Sequence, residues 1–303
     1  FAPDPDWLDR LKAPVTQDEL DAKPLPFLLA NPMSESEISA LNPTDVLVEY
    51  KWDGIRAQLI KTHETIRLWS RGDQDITEQF PDIVEVATTL PSQIILDGEI
   101  LAGTTEHLQT FNDLQTRLNR KRITQTLLKT HPAFFKAYDL LRLDGEDLRG
   151  HPLIARKAAL SKIVVSQSLT VHPMCSESIH AMRQEARRKG AEGVMIKGKQ
   201  SCYVGGRKAG HWWKWKLDPM TADCVLVYAQ AGHGRRASLH SDYTLACWNQ
   251  DNELVPVAKA YSGLTDAELK DMDQWIRKHT LQKFGPVRQV EAFQVFEIGF
   301  EGI

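Results

Sequence analysis

The sequence predicts an α+β protein with mostly antiparallel sheet, followed by a small all-β domain. Three observations predict it. Apolar runs rich in β-branched and aromatic residues recur through the first two thirds of the chain. Helical patterns fall between some of these runs without strict alternation, and after Asp218-Pro219 short strands are broken by a single helix. The length agrees, because 303 residues at about 100 to 200 per domain make two domains.

Residues 1–32 carry Pro3, Pro5, Pro14, Pro24, Pro26 and Pro32, a density that predicts an extended linker rather than a packed element. The first domain, 33–217, should hold strands at 46–49, 55–60, 65–69, 94–101, 134–141 and 194–197. Helical patterns run over roughly 78–90, 108–121, 153–165 and 176–189, the first opened by Thr77 and the last closed by Gly190. In the second domain, 218–303, strands at 223–229, 242–248 and 254–261 precede a helix at 266–279 and a last strand around 293–300. That order reads as a small Greek-key barrel of the OB type. There is no internal repeat and no low-complexity tract.

Composition excludes several classes. With 37 Lys+Arg against 40 Asp+Glu, a net charge of −3, 42% apolar and 25% charged residues, the chain is not disordered, collagenous or coiled coil. No window approaches the roughly 18 apolar residues that span a bilayer, and no basic-then-apolar leader opens the chain. The reading is a soluble, cytoplasmic protein with no membrane partner. Residues 1–50 hold 3 basic and 10 acidic residues, leaving 34 basic and 30 acidic in the remainder, a weakly basic body compatible with a polyanionic partner. Cys175, Cys202, Cys224 and Cys247 lack the close spacing of a zinc or redox motif and read as buried free thiols. The chain opens on Phe1 and stops at Ile303 straight after a strand-like run, as a piece of something longer would.

The chemistry begins at Glu49-Tyr50-Lys51-Trp52-Asp53-Gly54-Ile55-Arg56. Lys-x-Asp-Gly-x-Arg should arise by chance in about 0.5% of chains this long. A tight turn with solvated charges would also carry it, whereas the functional reading is a lysine nucleophile at a strand end. Lysine reacts only as the neutral amine, so cations or burial must lie nearby to depress its pKa. Trp212-Trp213-Lys214-Trp215-Lys216 supplies the cations, since alternation puts both lysines on one face and Trp213 and Trp215 on the other. Two acidic strands, Leu96-Asp97-Gly98-Glu99-Ile100 and Glu192-Gly193-Val194-Met195, place carboxylates where a metal or a ribose hydroxyl would use them. Tyr138 offers a ring at a strand end, either core or a stacking surface. Gly193 to Lys199 has Walker A spacing, but Gln200 follows in place of Ser or Thr and the intervening residues read as strand.

This ordered set resembles the covalent nucleotidyltransferase superfamily, specifically the bacterial ATP-dependent DNA ligases, from about Leu25 to Ile303. Ala231 to Ala237 and Ala260 to Glu268 are further blocks similar to that family. The resemblance implies an adenylation domain followed by an OB-fold domain, with ATP and Mg2+ or Mn2+ as cofactors and nicked duplex DNA as the partner of a monomeric enzyme. By position, Lys51 resembles the adenylylated lysine and Glu49 the reader of the adenine edge. Arg56 and Arg71 resemble the ribose and phosphate arginines, Glu99 a ribose or metal carboxylate, Glu192 the metal carboxylate and Tyr138 the stacking ring. Lys214 and Lys216 resemble the α-phosphate lysines, and Lys208, with Arg207 adjacent, stands where many relatives have an arginine. Candidate DNA-phosphate contacts are Arg117, Arg120, Lys121 and Arg122, the helix with Arg183, Arg187, Arg188 and Lys189, and Arg235 and Arg236. Relatives continue into a final basic motif that this chain lacks, and carry a helical DNA-binding domain ahead of it. The rival readings are an RNA ligase or capping-type nucleotidyltransferase, and a noncatalytic DNA-binding relic.

Overall fold

The computed structural model describes residues 16–300 apart from 119, 164–167, 172–177, 233, 235–236 and 262. The chain forms two compact units that divide between 217 and 218. Among the described residues no helix is long and apolar enough to cross a membrane.

The first unit contains strands β1 (Leu28–Leu29), β2 (Asn31–Pro32), β3 (Val46–Trp52), β4 (Ile55–Lys61), β5 (Ile66–Ser70), β6 (Ile94–Ala102), β7 (Ala133–Leu143), β8 (Glu146–Asp147), β9 (Leu169–Val171), β10 (Ala191–Gly198), β11 (Gly206–Arg207) and β12 (Trp212–Lys216). Its helices are α1 (Gln17–Asp21), α2 (Glu35–Ser39), α3 (Pro81–Ala87), α4 (Phe111–Leu118), α5 (Gln125–Thr130), α6 (Leu153–Leu160) and α7 (Ile179–Ala186). One sheet runs β5-β4-β6-β7-β8 with β9 beside β7, the other β2-β12-β10-β3, and β1 pairs with β11. Among the described residues only the β1–β11, β2–β12 and β7–β9 ladders are parallel.

Alternation explains the layers. On β4, Ala57 and Leu59 enter a core with Leu96, Phe135, Phe80 and Ile83, while Ile60 points to the opposite cluster with Leu28, Ile95 and Trp212. The second sheet buries Val46, Val48, Val194 and Ile196 against Ile179 and Met182 of α7. Gly54, in the turn between β3 and β4, admits no side chain, because a Cβ there would meet the Ile100 carbonyl at 2.3 Å.

Two local readings are corrected and one is upheld. The described part of the expected linker is packed: Leu28 is fully buried, and the Gln58 side chain holds the Leu25 backbone through both its amide and carbonyl. Two-residue strands are too short for a periodic signal, so only proline density was legible there. Helix α3 opens at Pro81, whose fixed φ suits a first helical position, and Thr77, four residues before that start, instead accepts the Leu68 amide hydrogen. The Walker-like stretch lies on strand β10, paired on both sides, as its strand reading expected.

The second unit contains β13 (Met220–Ala231), β14 (His240–Trp248), β15 (Leu254–Ala260), helix α8 (Asp266–Lys278), β16 (Thr280–Phe284), β17 (Val287–Val290) and β18 (Val295–Phe300). Its sheet runs β15-β14-β13-β17-β16, and β18 pairs with the first half of β13. Thr265 and Glu268 form a capping box, and Leu269 and Ile276 of α8 bury against Cys224, Leu226, Tyr243 and Leu245. Among the described residues no ladder joins β15 to β16 or β18, so the expected barrel is seen as an open sheet. The Cys224 and Cys247 sulfurs lie 3.2 Å apart across β13 and β14, free thiols brought together by register.

Candidate active site

One alternation rule on three adjacent strands builds one wall of a cleft. Tyr50, Trp213 and Trp215 face α7 with Val194 and Ile196, so the intervening residues face the other way. Register then sets them in rows: Lys51 beside Gly193 beside Lys216, Glu49 beside Met195 beside Lys214, and Leu47 beside Lys197 beside Trp212. Gly193 leaves room beside Lys51, and a Cβ there would lie 2.3 Å from the Trp215 carbonyl. The other sheet contributes Arg56 from β4, Glu99 from β6 and Tyr138 from β7.

The cleft is lined by Glu49, Lys51, Arg56, Arg71, Glu99, Tyr138, Met195, Lys197, Arg207, Trp212 and Lys214, together with Leu29, Ala30, Tyr50 and Trp52. Glu192 and Lys216 do not line it; Glu192 is tied to it through its ion pair with Lys51, and Lys216 pairs with Glu192 at 3.1 Å. Of the two adjacent basic residues, Arg207 lines the cleft, whereas Lys208 does not and its carbonyl accepts from Asn31 at 2.9 Å.

Charge is concentrated around Lys51, which is ion-paired with Glu192. Burial opposes charge on Glu192, but the Lys51 and Lys216 ammonium groups outweigh it and hold the carboxyl below its usual range. Desolvation pushes the Glu99 carboxyl up to about 8, with Arg56 and Lys51 opposing and Asp97 and Glu192 adding to it. Burial lowers the Lys214 pKa, and Lys51, Lys216 and Arg207 lower it further. Arg56 is fixed in place, bidentate to Asp97 at 2.7 and 3.2 Å, donating to the Leu28 carbonyl, and set against the rings of Phe27, Tyr138 and Trp212. Burial works against its charge, and Asp97 more than restores it.

The site fits a nucleoside triphosphate. Tyr138 offers a ring, Arg71, Arg207 and Lys214 offer cations for phosphates, and the buried Trp212 Nε1 has no hydrogen-bond partner among the described residues. For a divalent cation the carboxylates that would serve are Glu99 and Glu192, which stand near Lys51. Among the described residues no group of three acidic, His or Cys side chains could hold one by itself, so these two carboxylates would need further oxygen ligands from outside the protein.

Three of the basic residues proposed for DNA are engaged within the protein. Arg117 is fully buried, bonded to Asp82 at 2.6 and 2.8 Å and to the Gln79 carbonyl, and stacked on Phe80. It holds α3 and α4 together and cannot touch DNA; an amphipathic helix does not announce which basic residue its buried stripe takes. Arg183 packs on Trp215 and caps the Lys216 carbonyl, and Arg188 is paired with Glu185. Arg120, Lys121 and Arg122 are exposed. Arg235 and Arg236 lie outside the described residues. Sequence reasoning missed Lys197 and Trp212, which alternation on β10 and β12 would have found, and Lys157, which donates to Glu49 at 2.6 Å and had no local signal.

The comparisons agree on one family. A model of the ATP dependent DNA ligase domain matches residues 27–216. A probable DNA ligase of Koribacter versatilis (strain Ellin345) is 33% identical over 308 residues, covering 92% of this chain and 53% of that protein. One of Opitutus terrae is 36% identical over 294 residues, covering 85% of this chain and 29% of that protein. The chain thus spans about half, or less, of the length of these relatives. The ligase domain of M. tuberculosis LigD superposes with a TM-score of 0.54 at 24% identity, covering 92% of this chain and 90% of that one. Mycobacterial DNA ligase D complexed with ATP gives 0.57 at 23%, covering 92% and 89%. At these identities the two structures speak for the fold alone. With the matched domain spanning both sheets and every strand of the cleft, the chain belongs to the ATP-dependent DNA ligase domain family.

Proposed function

We propose that this chain is the catalytic part of an ATP-dependent DNA ligase that seals nicks in duplex DNA. The first unit acts as the adenylation domain and the second as an OB-type domain that changes its position between steps. The observation that carries the reading is Lys51, set on the floor of a cleft between a carboxylate and a wall of cations, with an aromatic ring opposite.

Deprotonated Lys51 Nζ forms a bond to the α-phosphorus of ATP as the bond to pyrophosphate breaks, leaving a lysyl-AMP phosphoramidate. Lys214, Lys216 and Arg207 offset the charge that grows on the phosphate oxygens, and Arg56 and Arg71 hold the nucleotide. Glu49 reads the adenine edge, and Tyr138 stacks on the base. Glu99 and Glu192 would hold Mg2+ or Mn2+, which when bound supplies Lewis-acid stabilisation of the phosphoryl oxygens. AMP then passes to the 5′-phosphate of the nick, and the 3′-hydroxyl displaces it. Arg120, Lys121, Arg122, Arg235 and Arg236 are the proposed phosphate contacts. The groups proposed for lysine adenylylation lie in this cleft or ion-pair with its Lys51 through Glu192, all in one chain, so a single subunit suffices.

Incubation with α-labelled ATP and magnesium, followed by a denaturing gel, tests the reading. Covalent label that nicked DNA discharges supports it. Label from GTP, or discharge only to RNA ends, would favour a capping-type enzyme or RNA ligase. Salt-sensitive DNA binding without label would make the chain a noncatalytic binder.

A further inference from the structure

We propose that Lys157 is a positioning residue that sets the purine selectivity of the cleft by clamping Glu49 from behind. The proposal rests on the reading of the cleft as an ATP site and goes beyond it, because Lys157 is not among the residues that line the cleft.

Glu49 is 2% exposed, and both its oxygens are held by lysines from distant elements. Lys157 Nζ on α6 donates to Oε1 at 2.6 Å, and Lys197 Nζ on β10 donates to Oε2 at 2.6 Å. The clamp is itself anchored. Arg156, the preceding residue on α6, is bidentate to the buried Asp139 of β7 at 2.8 Å twice, and also holds the carbonyls of His151 and Ser201. Two consecutive helix residues therefore tie α6 to a carboxylate in each sheet, one on β7 and one on β3.

The same clamp governs the proposed stacking ring. Lys157 Nζ donates to the Tyr138 carbonyl at 3.3 Å, and Lys197 Nζ lies 4.2 Å from the Tyr138 ring centre and 4.0 Å from that of Trp212. Burying three charges is costly, and apolar packing of equal volume would stabilise the fold at least as well. What the trio provides is an ionised carboxylate in one orientation at the base end of the cleft. An ionised carboxylate only accepts hydrogen bonds. It suits the 6-amino group of adenine and repels the 6-oxo group of hypoxanthine or guanine. Lys197 touches the cleft and would meet the base, whereas Lys157 acts through Glu49 and the Tyr138 backbone.

The test compares self-nucleotidylation by ATP and by inosine triphosphate, which carries oxygen where ATP carries the amino group. Single-turnover rate and half-saturation are read for the unaltered chain and for Lys157→Met and Lys157→Arg. The ATP-to-ITP ratio is taken within one preparation, so partial misfolding does not move it. The unaltered chain should prefer ATP, and Lys157→Met should cut that preference at least about tenfold, chiefly in half-saturation for ATP with ITP little changed. Lys157→Arg, which keeps the charge, should recover most of it. Should Lys157→Met label with neither nucleotide, Lys157→Gln is read the same way. An unchanged ratio, or equal loss with both nucleotides, would show that Lys157 merely supports the fold. Absence of label from the unaltered chain would overturn the ATP reading itself, and the clamp with it.

Discussion

Lys51 and Glu192 are ion-paired although 141 residues separate them, and a β-bulge is the reason. In the β3–β10 ladder Trp52 pairs with Ala191 and Lys51 with Gly193, so Glu192 is the extra residue. A bulge re-aims a side chain that regular pleating would send to the opposite face. Here it turns a carboxylate toward the candidate nucleophile.

Lys51→Ala should abolish covalent AMP labelling with the fold intact, since a side chain at a strand end contributes little to packing. Lys51→Arg should fail too, because guanidinium stays protonated. A gel with α-labelled ATP, alongside circular dichroism, checks both; persistent label in either variant would show that another residue is the nucleophile.

Glu192→Ala should weaken the metal-dependent steps, measured as kcat and as the magnesium requirement, more than nucleotide affinity. Tyr138→Ala should do the reverse. Tyr138→Phe should stay close to the parent, since stacking needs the ring and not the hydroxyl, and damage equal to that of alanine would rule the stacking role out.

The Glu99 carboxyl sits at about 8 in the fold, against roughly 4.3 for a free glutamate. Between those values the folded state binds the extra proton, so this group's contribution to stability declines as pH rises from about 4 and levels off above about 8. Glu99→Gln removes that dependence. The Tm of the variant relative to the parent should therefore climb across this window, read by thermal melts from pH 5 to 9, and a flat difference would contradict the placement.

Arg117→Met should cost about 3 kcal/mol or more, because it strips Asp82 of a fully buried partner. DNA affinity of the folded protein should keep its salt dependence. Arg122→Ala should leave the melting temperature unchanged and lower the slope of log K against log salt by about one phosphate's worth. Titrations at several salt concentrations separate the two.

The strands that carry Lys51, Glu99, Tyr138 and Lys214 were legible in the sequence because a strand is written in a period of two, and so is the face each residue takes. Lys-x-Asp-Gly-x-Arg was legible for the same local reason: Gly54 answers the close approach of Ile100 at one turn. Partners remote in sequence were not. That Arg117 turns inward to Asp82 while Arg122 stays in solvent, that Arg207 rather than Lys208 lines the cleft, that residues 25–32 pack, and that Lys157 reaches Glu49 across 108 residues all depend on which elements the chain brings together. A buried charge is stable only beside its counter-charge. Topology supplies that neighbour, and no local pattern encodes it.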